Sequence, residues 1–373
     1  MPQALFRVVV AGGGVAGLET LLALRALAGD SIDLALVAPD DEFVYRPLSI
    51  HEPFAVGRTR RVPLRDAASA AGAAHFSTTI TAVDASRRTI DAIDGSQLEY
   101  EALVLAVGAE PMPAVAHVLT WDDRADAELL GGLLRDVEQG YTHRVAVVIP
   151  PGPGWPLRGY ELALLVALDA KASNVAVQTT VITAEHAPLD LLGPRSAELV
   201  AAELERAGIA VVATADVEVV QGSPVTAILH PSGRRLVVDR ALALPVLRGR
   251  RISGIPADAD GFLDIDEHCR LRGMAGIWAA GDVTNLPLKS GAVAAEQGDV
   301  AAADIAAAAG AVVERHTLDL TGRDGLAGLP AGRHLEGWLG AGEDAVTTHL
   351  PPVGVPVLTY LQRDLAAGWR GSR

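Results

Sequence analysis

Residues 6–29, FRVVVAGGGVAGLETLLALRALAG, decide the fold. Arg7 to Ala11 is a short run of strand type. Gly12-Gly13-Gly14-Val15-Ala16-Gly17 follows at once and fits G-x-G-x-x-G. Leu18 to Ala28 reads as a helix closed by Gly29, and Ile32 to Val37 is a second β-type run. This is a βαβ unit with glycines in its first turn, the context that a dinucleotide fingerprint requires. In such a turn Gly12 makes the tight bend, Gly14 lets the backbone approach a pyrophosphate, and Gly17 lets the helix pack on the strand. Free N–H groups at the helix start, around Val15 and Ala16, would hold the phosphates.

A second βαβ unit follows further along. Val145 to Ile149 is a buried strand, Tyr160 to Lys171 a helix and Val175 to Thr183 the next strand. The turn between them, residues 150–159, reads PPGPGWPLRG. Gly154 and Gly159 can be set on the first and third fingerprint glycines, which puts Pro156 in the middle position. Proline adds bulk and removes an N–H where a pyrophosphate would lie. The turn is therefore a degraded fingerprint, and weak or absent binding of NADH and NADPH is expected. Glu185, at the end of the next strand, argues mildly the other way. An acidic residue there can hold a ribose and would favour NADH over NADPH.

Around these units the chain supplies further elements. Ala38 follows the second strand where an acidic residue commonly holds ribose hydroxyls, so Asp40 or Asp41 is left for that task. Arg46, beside Pro47 in extended chain, could pair with a phosphate. Ala74 to Ala82 and Thr89 to Ile93 look like strands, with a hairpin signal at Asp94-Gly95. Leu98 to Leu105 runs into Ala106-Val107-Gly108, small residues suited to packing against a flat ligand. Pro111 and Pro113 mark a crossover, and Pro245 to Ile255 a return. Ala292 to Gly310 is an alanine-rich helix.

The chain has 373 residues and a formal net charge of −15, which disfavours nucleic acid and anionic membrane surfaces as partners of the whole protein. Its single cysteine, Cys269, allows no internal disulfide and no C-x-x-C pair. The scattered histidines show no metal spacing. The apolar N-terminus reads as a strand rather than a targeting segment. No apolar run is long enough to span a bilayer. A cytoplasmic protein is expected.

Three blocks together resemble the two-dinucleotide-binding-domain flavoproteins. They are the turn Gly12 to Glu19, YEALVLAVGAEP at residues 100–111, and IWAAGDVTNLPLKSGAVAAEQGDVAAA at residues 277–303. The resemblance is to the branch of pyridine nucleotide-disulfide oxidoreductases containing type II NADH dehydrogenases, flavocytochrome c sulfide dehydrogenases and sulfide:quinone oxidoreductases. It implies an α/β fold of two Rossmann-like, glutathione-reductase-type three-layer domains plus a short C-terminal cap. Residues 1–115 and 251–310 would form the FAD domain and 116–250 the NAD(P)-binding-like domain. Residues 311–373 would be a small C-terminal region.

By that resemblance Gly12, Gly14 and Gly17 hold the FAD pyrophosphate. Ile80 meets the adenine through its backbone, and Ala106 and Gly108 sit beside the nucleotide half. Gly281 and Asp282 match the family turn whose aspartate binds the ribityl chain. Lys289, Ser290, Gly291 and Ala292 match the loop and helix start beneath the flavin pyrimidine ring, and Gln297 a flavin-side glutamine. Glu161 matches a family glutamate that approaches the flavin centre and can relay protons. Glu161 and Lys289 are thus the candidate catalytic residues.

The chain departs from this branch in having no cysteine beside the flavin positions, so cysteine-based sulfide and disulfide chemistry is not expected. Three readings stay open. The first is an FAD enzyme passing electrons from NAD(P)H to a quinone or similar acceptor. The second is an FAD oxidoreductase with another small-molecule or protein donor, and the third a non-catalytic flavin-binding protein. Val355 to Leu361 is apolar and is followed by Arg363, Trp369, Arg370 and Arg373, which suits peripheral contact with a membrane near a quinone pool. A cap helix packed on the body is the competing reading. A homodimer is an open assembly.

Overall fold

A computed structural model describes residues 5–55, 59–121, 127–220, 222, 224–318 and 334–335. These residues group into two compact units. The first takes in the chain up to Tyr45, Arg60–Glu110 and the part from Arg248 on. The second takes in Arg46–Thr59 and Pro111–Leu247.

The first unit is built on a five-stranded parallel sheet, in the order Ile277–Ala279, Ala102–Leu105, Phe6–Ala11, Ile32–Val37, Ala74–Phe76. A strand covered on both faces needs apolar residues at every position rather than alternation. Val8, Val9 and Val10 meet that need and are fully buried. The helices Val15–Ala28 and Gly291–Ala308 pack on one another through small residues. A side-chain carbon at Gly298 would lie 2.8 Å from the Ala16 carbonyl oxygen, so only glycine permits the approach. A three-stranded antiparallel sheet, Ile80–Asp84, Thr89–Ala92 and Gln97–Glu99, is inserted in the chain between Ala74–Phe76 and Ala102–Leu105.

The second unit repeats the plan. Its parallel sheet runs Leu119–Thr120, Arg240–Ala243, Arg144–Ile149, Gln178–Thr183, Ala210–Val212. The helices are Ala127–Glu138, Leu157–Ala172 and Pro194–Arg206. Val148, Ile182, Val217 and Leu229 share one core with the antiparallel sheet Asp216–Val220, Val225–His230, Arg234–Val238. The strand order reverses beside Phe6–Ala11 in the first unit and beside Arg144–Ile149 in the second. The switch point lies next to Ala11 in one sheet and Ile149 in the other, where open α/β sheets bind ligands.

The structure shifts several expectations. The strand expected over residues 74–82 is two strands, because Thr78 turns back onto the Phe76 carbonyl (3.0 Å) and sends Ile80 into the antiparallel sheet. The second helix begins at Leu157 rather than Tyr160, since Pro156 already has helical angles (φ −58°, ψ −30°). Leu263–Ile265 makes isolated bridges to Thr284 and Leu271 instead of a strand. Arg46–Phe54 forms 3-10 turns that pack on Ala127–Glu138 and Leu157–Ala172, so this segment belongs to the second unit although the sequence sets it in the first domain. The expected C-terminal cap, apart from residues 311–318 and 334–335, and the Val355–Leu361 run lie outside the described residues. No described helix is long and apolar enough to cross a membrane.

Candidate functional site

At the switch point of the first unit three chain crossings meet. Gly12 N–H donates to Val37 O (2.8 Å), Ala106 N–H to Ala11 O (2.7 Å) and Ala280 N–H to Leu105 O (3.1 Å). Gly12 has φ +124°, and a Cβ there would lie 2.1 Å from Ala106 O. A Cβ on Gly17 would lie 1.9 Å from Gly12 O. Both glycines are therefore required by the protein's own packing. Gly14 is different: a Cβ there would meet nothing within 4 Å, and its backbone (φ −84°, ψ −171°) suits any residue. The first bond closing this helix runs from Leu18 N–H to Gly14 O (3.0 Å), which leaves the preceding N–H groups to other acceptors. No side chain caps the start and no acidic residue stands in the first turn.

Small residues extend the cradle. Ala16, Ala106, Ala280 and Ala294 form one cluster, with Val15 packed against it. Gly108 is left-handed (φ +72°) with open space beside it. Gly281 (φ +82°) carries the chain into Asp282. Ser290 caps the Gly291–Ala308 helix by accepting from Val293 N–H (3.3 Å). Gly291 faces open space and Ala292 is buried, and the first turn of this helix has no acidic residue.

Two residues expected from the sequence to lie beside the flavin also make hydrogen bonds within the fold. Gln297 is fully buried. Its Oε1 accepts from Gly281 N–H (2.6 Å) and its Nε2 donates to Thr284 Oγ1 (3.1 Å), so it fixes the turn that carries Asp282. Thr284 Oγ1 in turn donates to Gly281 O (2.9 Å). Lys289 Nζ donates to the carbonyls of Asp282 (3.1 Å) and Thr284 and lies 4.1 Å from the centre of the Phe262 ring. Burial pushes this ammonium down to about 8, against the opposing charges of Asp282 and Asp258. Lys289 thus holds the same turn that Gln297 holds. Sequence spacing could not reveal this, since the partners are backbone carbonyls.

The other expected residues are dispersed. Asp40 is exposed. Ile80 is buried in the antiparallel sheet. Arg46, Pro47 and Glu161 stand in the second unit. Glu161 is buried on the Leu157–Ala172 helix, and burial pushes its carboxyl up to about 8 despite the charge of Arg158.

At the switch point of the second unit the left-handed residue is Gly152 (φ +113°), not Gly154, and it makes no close approach. Gly159 does act as the third glycine, since a Cβ there would lie 2.4 Å from Ile149 Cγ1. Pro156 has no N–H. Arg158 N–H donates to Trp155 O (3.3 Å) and Gly159 N–H to Pro156 O (2.9 Å). At this helix start Pro156 therefore offers no donor, and the N–H groups of Arg158 and Gly159 are used within the turn.

Residues 6–310 match the pyridine nucleotide-disulphide oxidoreductase family. The chain belongs to that family. It is 28% identical over 307 residues to an NADH dehydrogenase-like protein of Mycobacterium tuberculosis, covering 74% of this chain and 72% of that one. It is 26% identical over 306 residues to the ferredoxin–NAD(+) reductase component of the biphenyl dioxygenase system of Paraburkholderia xenovorans, covering 76% and 69%. Its fold is shared with the sulfide:quinone oxidoreductase of Aquifex aeolicus (TM-score 0.73, 20% identity, 80% of this chain and 76% of that one). Membership makes the chain a flavin-dependent oxidoreductase of the two-Rossmann type.

The disulphide chemistry in the family's name has no counterpart in the sequence. Cys269 is fully buried, and burial with the nearby charges of Asp266, Glu296 and Asp304 pushes its thiol far up. A thiol so held is not a nucleophile at neutral pH. Cys269→Ala should keep flavin content and turnover within about twofold, and native protein should resist labelling by iodoacetamide until denatured. Labelling of folded protein with loss of activity would contradict this.

Proposed function

We propose that this chain is an FAD-dependent oxidoreductase passing electrons from a reduced donor to a quinone or similar acceptor, with a donor other than a nicotinamide dinucleotide. The flavin assignment rests on the contrast among three glycines. Gly12 and Gly17 are fixed by internal packing, whereas Gly14 faces open space beside a helix start with free N–H groups. That space fits a pyrophosphate, and a side chain would fill it. Gly12, Gly14, Val15, Ala16 and Gly17 would hold the diphosphate, with Ala106 and Gly108 beside the nucleotide.

FAD supplies a ring that takes up two electrons and returns them singly or as a pair. The chain's part is to bind and bias that ring. Asp282 would accept hydrogen bonds from ribityl hydroxyls, on a turn held by Gln297, Thr284 and Lys289. The start of the Gly291–Ala308 helix, with Ser290 at its cap, would offer positive dipole and N–H groups to the negative charge of a reduced ring. A charged hydrogen bond is worth about 1.5–3 kcal/mol. Asp282→Ala should therefore weaken FAD retention by about one to two decades. Equilibrium dialysis checks this, and unchanged retention would count against Asp282.

Glu161 keeps its proton at neutral pH, because its carboxyl is pushed up to about 8. The family resemblance gives it a proton-relay role, and the protonated carboxyl is the form that such a role requires. Turnover should fall as pH rises through about 8, and Glu161→Gln should flatten that limb and lower turnover on the order of 10²-fold. The stability sign is separate. A carboxyl raised from 4.5 to about 8 in the fold costs stability progressively as pH climbs from about 4.5 to about 8, and the full cost is present above 8. The Gln variant should therefore unfold less readily than wild type above pH 8. A pH profile and melts at two pH values separate the effects.

The donor assignment follows from Pro156 and the used N–H groups of Arg158 and Gly159. The competing reading is NADH as donor, favoured by the names of the Mycobacterium and Paraburkholderia relatives and by the acidic Glu185 at the strand end. Anaerobic mixing with NADH, NADPH and reduced non-nicotinamide donors decides between them. Bleaching of the flavin by NADH would favour the competing reading.

A further inference from the structure

In the first fingerprint the residue after the third glycine is Leu18; in the second it is Tyr160, and this difference has a chemical consequence. Tyr160 is fully buried near the start of its helix, and its hydroxyl donates to Glu185 Oε2 at 2.5 Å. Thr183 Oγ1 lies 3.3 Å from the same oxygen and accepts from Glu185 N–H at 3.2 Å. Glu185 Oε1 is closed off from solvent and accepts no hydrogen bond from the described residues. Both carboxylate oxygens are thus turned into the protein, although Glu185 stands just past the Gln178–Thr183 strand, where an acidic side chain meets ribose hydroxyls.

We infer that Tyr160 withholds Glu185 from any ribose and is a specificity-determining residue of the second Rossmann unit. The inference rests on the proposed function in one respect: it takes this unit as a dinucleotide fold that has lost its ligand. Burial raises the Glu185 carboxyl, outweighing the Tyr160 bond, and raises the Tyr160 phenol with the Glu185 charge adding to it. A dinucleotide reaching this strand end would have to break a short bond to a charged acceptor before gaining one. The Pro156 turn removes phosphate donors; Tyr160 removes the ribose acceptor. The two changes act on different parts of one ligand.

The test is Tyr160→Phe, which keeps the ring and removes the donor, with Tyr160→Leu as a second variant that copies the residue at position 18. Both are made in the full chain and in a Pro156→Gly background, and NADH and NADPH affinities are read by isothermal titration calorimetry. In each background the Phe variant should bind NADH about tenfold more tightly, as expected for removing one competing hydrogen bond to a charged group. NADPH should gain less, because the released carboxylate repels a 2′-phosphate. Equal NADH affinity in both pairs, or weaker binding in the variants, would overturn the inference; the latter would mean that Tyr160 orients Glu185 productively. FAD content and photoreduction, measured on the same samples, report the flavin assignment separately, because calorimetry of NADH does not depend on it.

Discussion

Replacing Gly14 by leucine should give a folded, colourless protein. Wild-type protein should be yellow and release FAD on denaturation. The structure leaves room for a Cβ at Gly14, since nothing lies within 4 Å of that position and the φ angle is negative. The bulk would fall only where the diphosphate is proposed to lie. Retention of FAD should drop by more than about two decades, with the loss of several N–H contacts to a charged group each worth about 1.5–3 kcal/mol. Gly17→Ala provides the contrast. Its Cβ would sit 1.9 Å from a backbone oxygen, so the helix must move off the strand. Such overpacking costs about 1–3 kcal/mol or more, and unfolding itself should shift. Thermal melts and the flavin absorbance band, read on both variants, separate binding from folding. A yellow Gly14→Leu protein would remove the assignment of this turn.

The first turn is legible in the sequence because its information is local. Strand, glycines and helix follow one another without a gap, and the third glycine's packing role is set within a single βαβ unit. The same holds for the second unit, whose degraded turn is visible as Pro156. Partners chosen in space are not legible in this way. Gln297 and Lys289 sit in the right block, yet their polar ends go to Gly281, Thr284 and Asp282 rather than outward. Side-chain direction on a short loop depends on which carbonyls turn inward, and no residue pattern encodes that. Arg46–Phe54 falls in the wrong domain for a related reason. It is short, rich in turns and without periodicity, so nothing in its own sequence says which helices it covers. Glu185 is recognisable from its place at a strand end, but its capture by Tyr160 depends on a contact across 25 residues.

The second large effect concerns nicotinamide dinucleotides. NADH and NADPH should bind the oxidised flavoprotein with dissociation constants of about 1 mM or weaker, and reduce it slowly or not at all. A diphosphate needs backbone donors at the helix start. Here Pro156 supplies none, and the N–H groups of Arg158 and Gly159 already donate to Trp155 and Pro156 carbonyls in tight turns. Losing even two of these three charged hydrogen bonds, about 3–6 kcal/mol together, moves a site of about 10 µM to the millimolar range or beyond. Pro156→Gly restores one donor and relaxes the turn, so it should recover about a decade of affinity without restoring the whole. Flavin absorbance titrations and stopped-flow reduction measure both quantities. Micromolar affinity with fast reduction in the wild-type protein would show that the altered turn still cradles a diphosphate through donors such as Leu157 N–H. In that event Pro156 is a tolerated variation on the fingerprint, and the NADH-dependent reading takes the place of the one proposed.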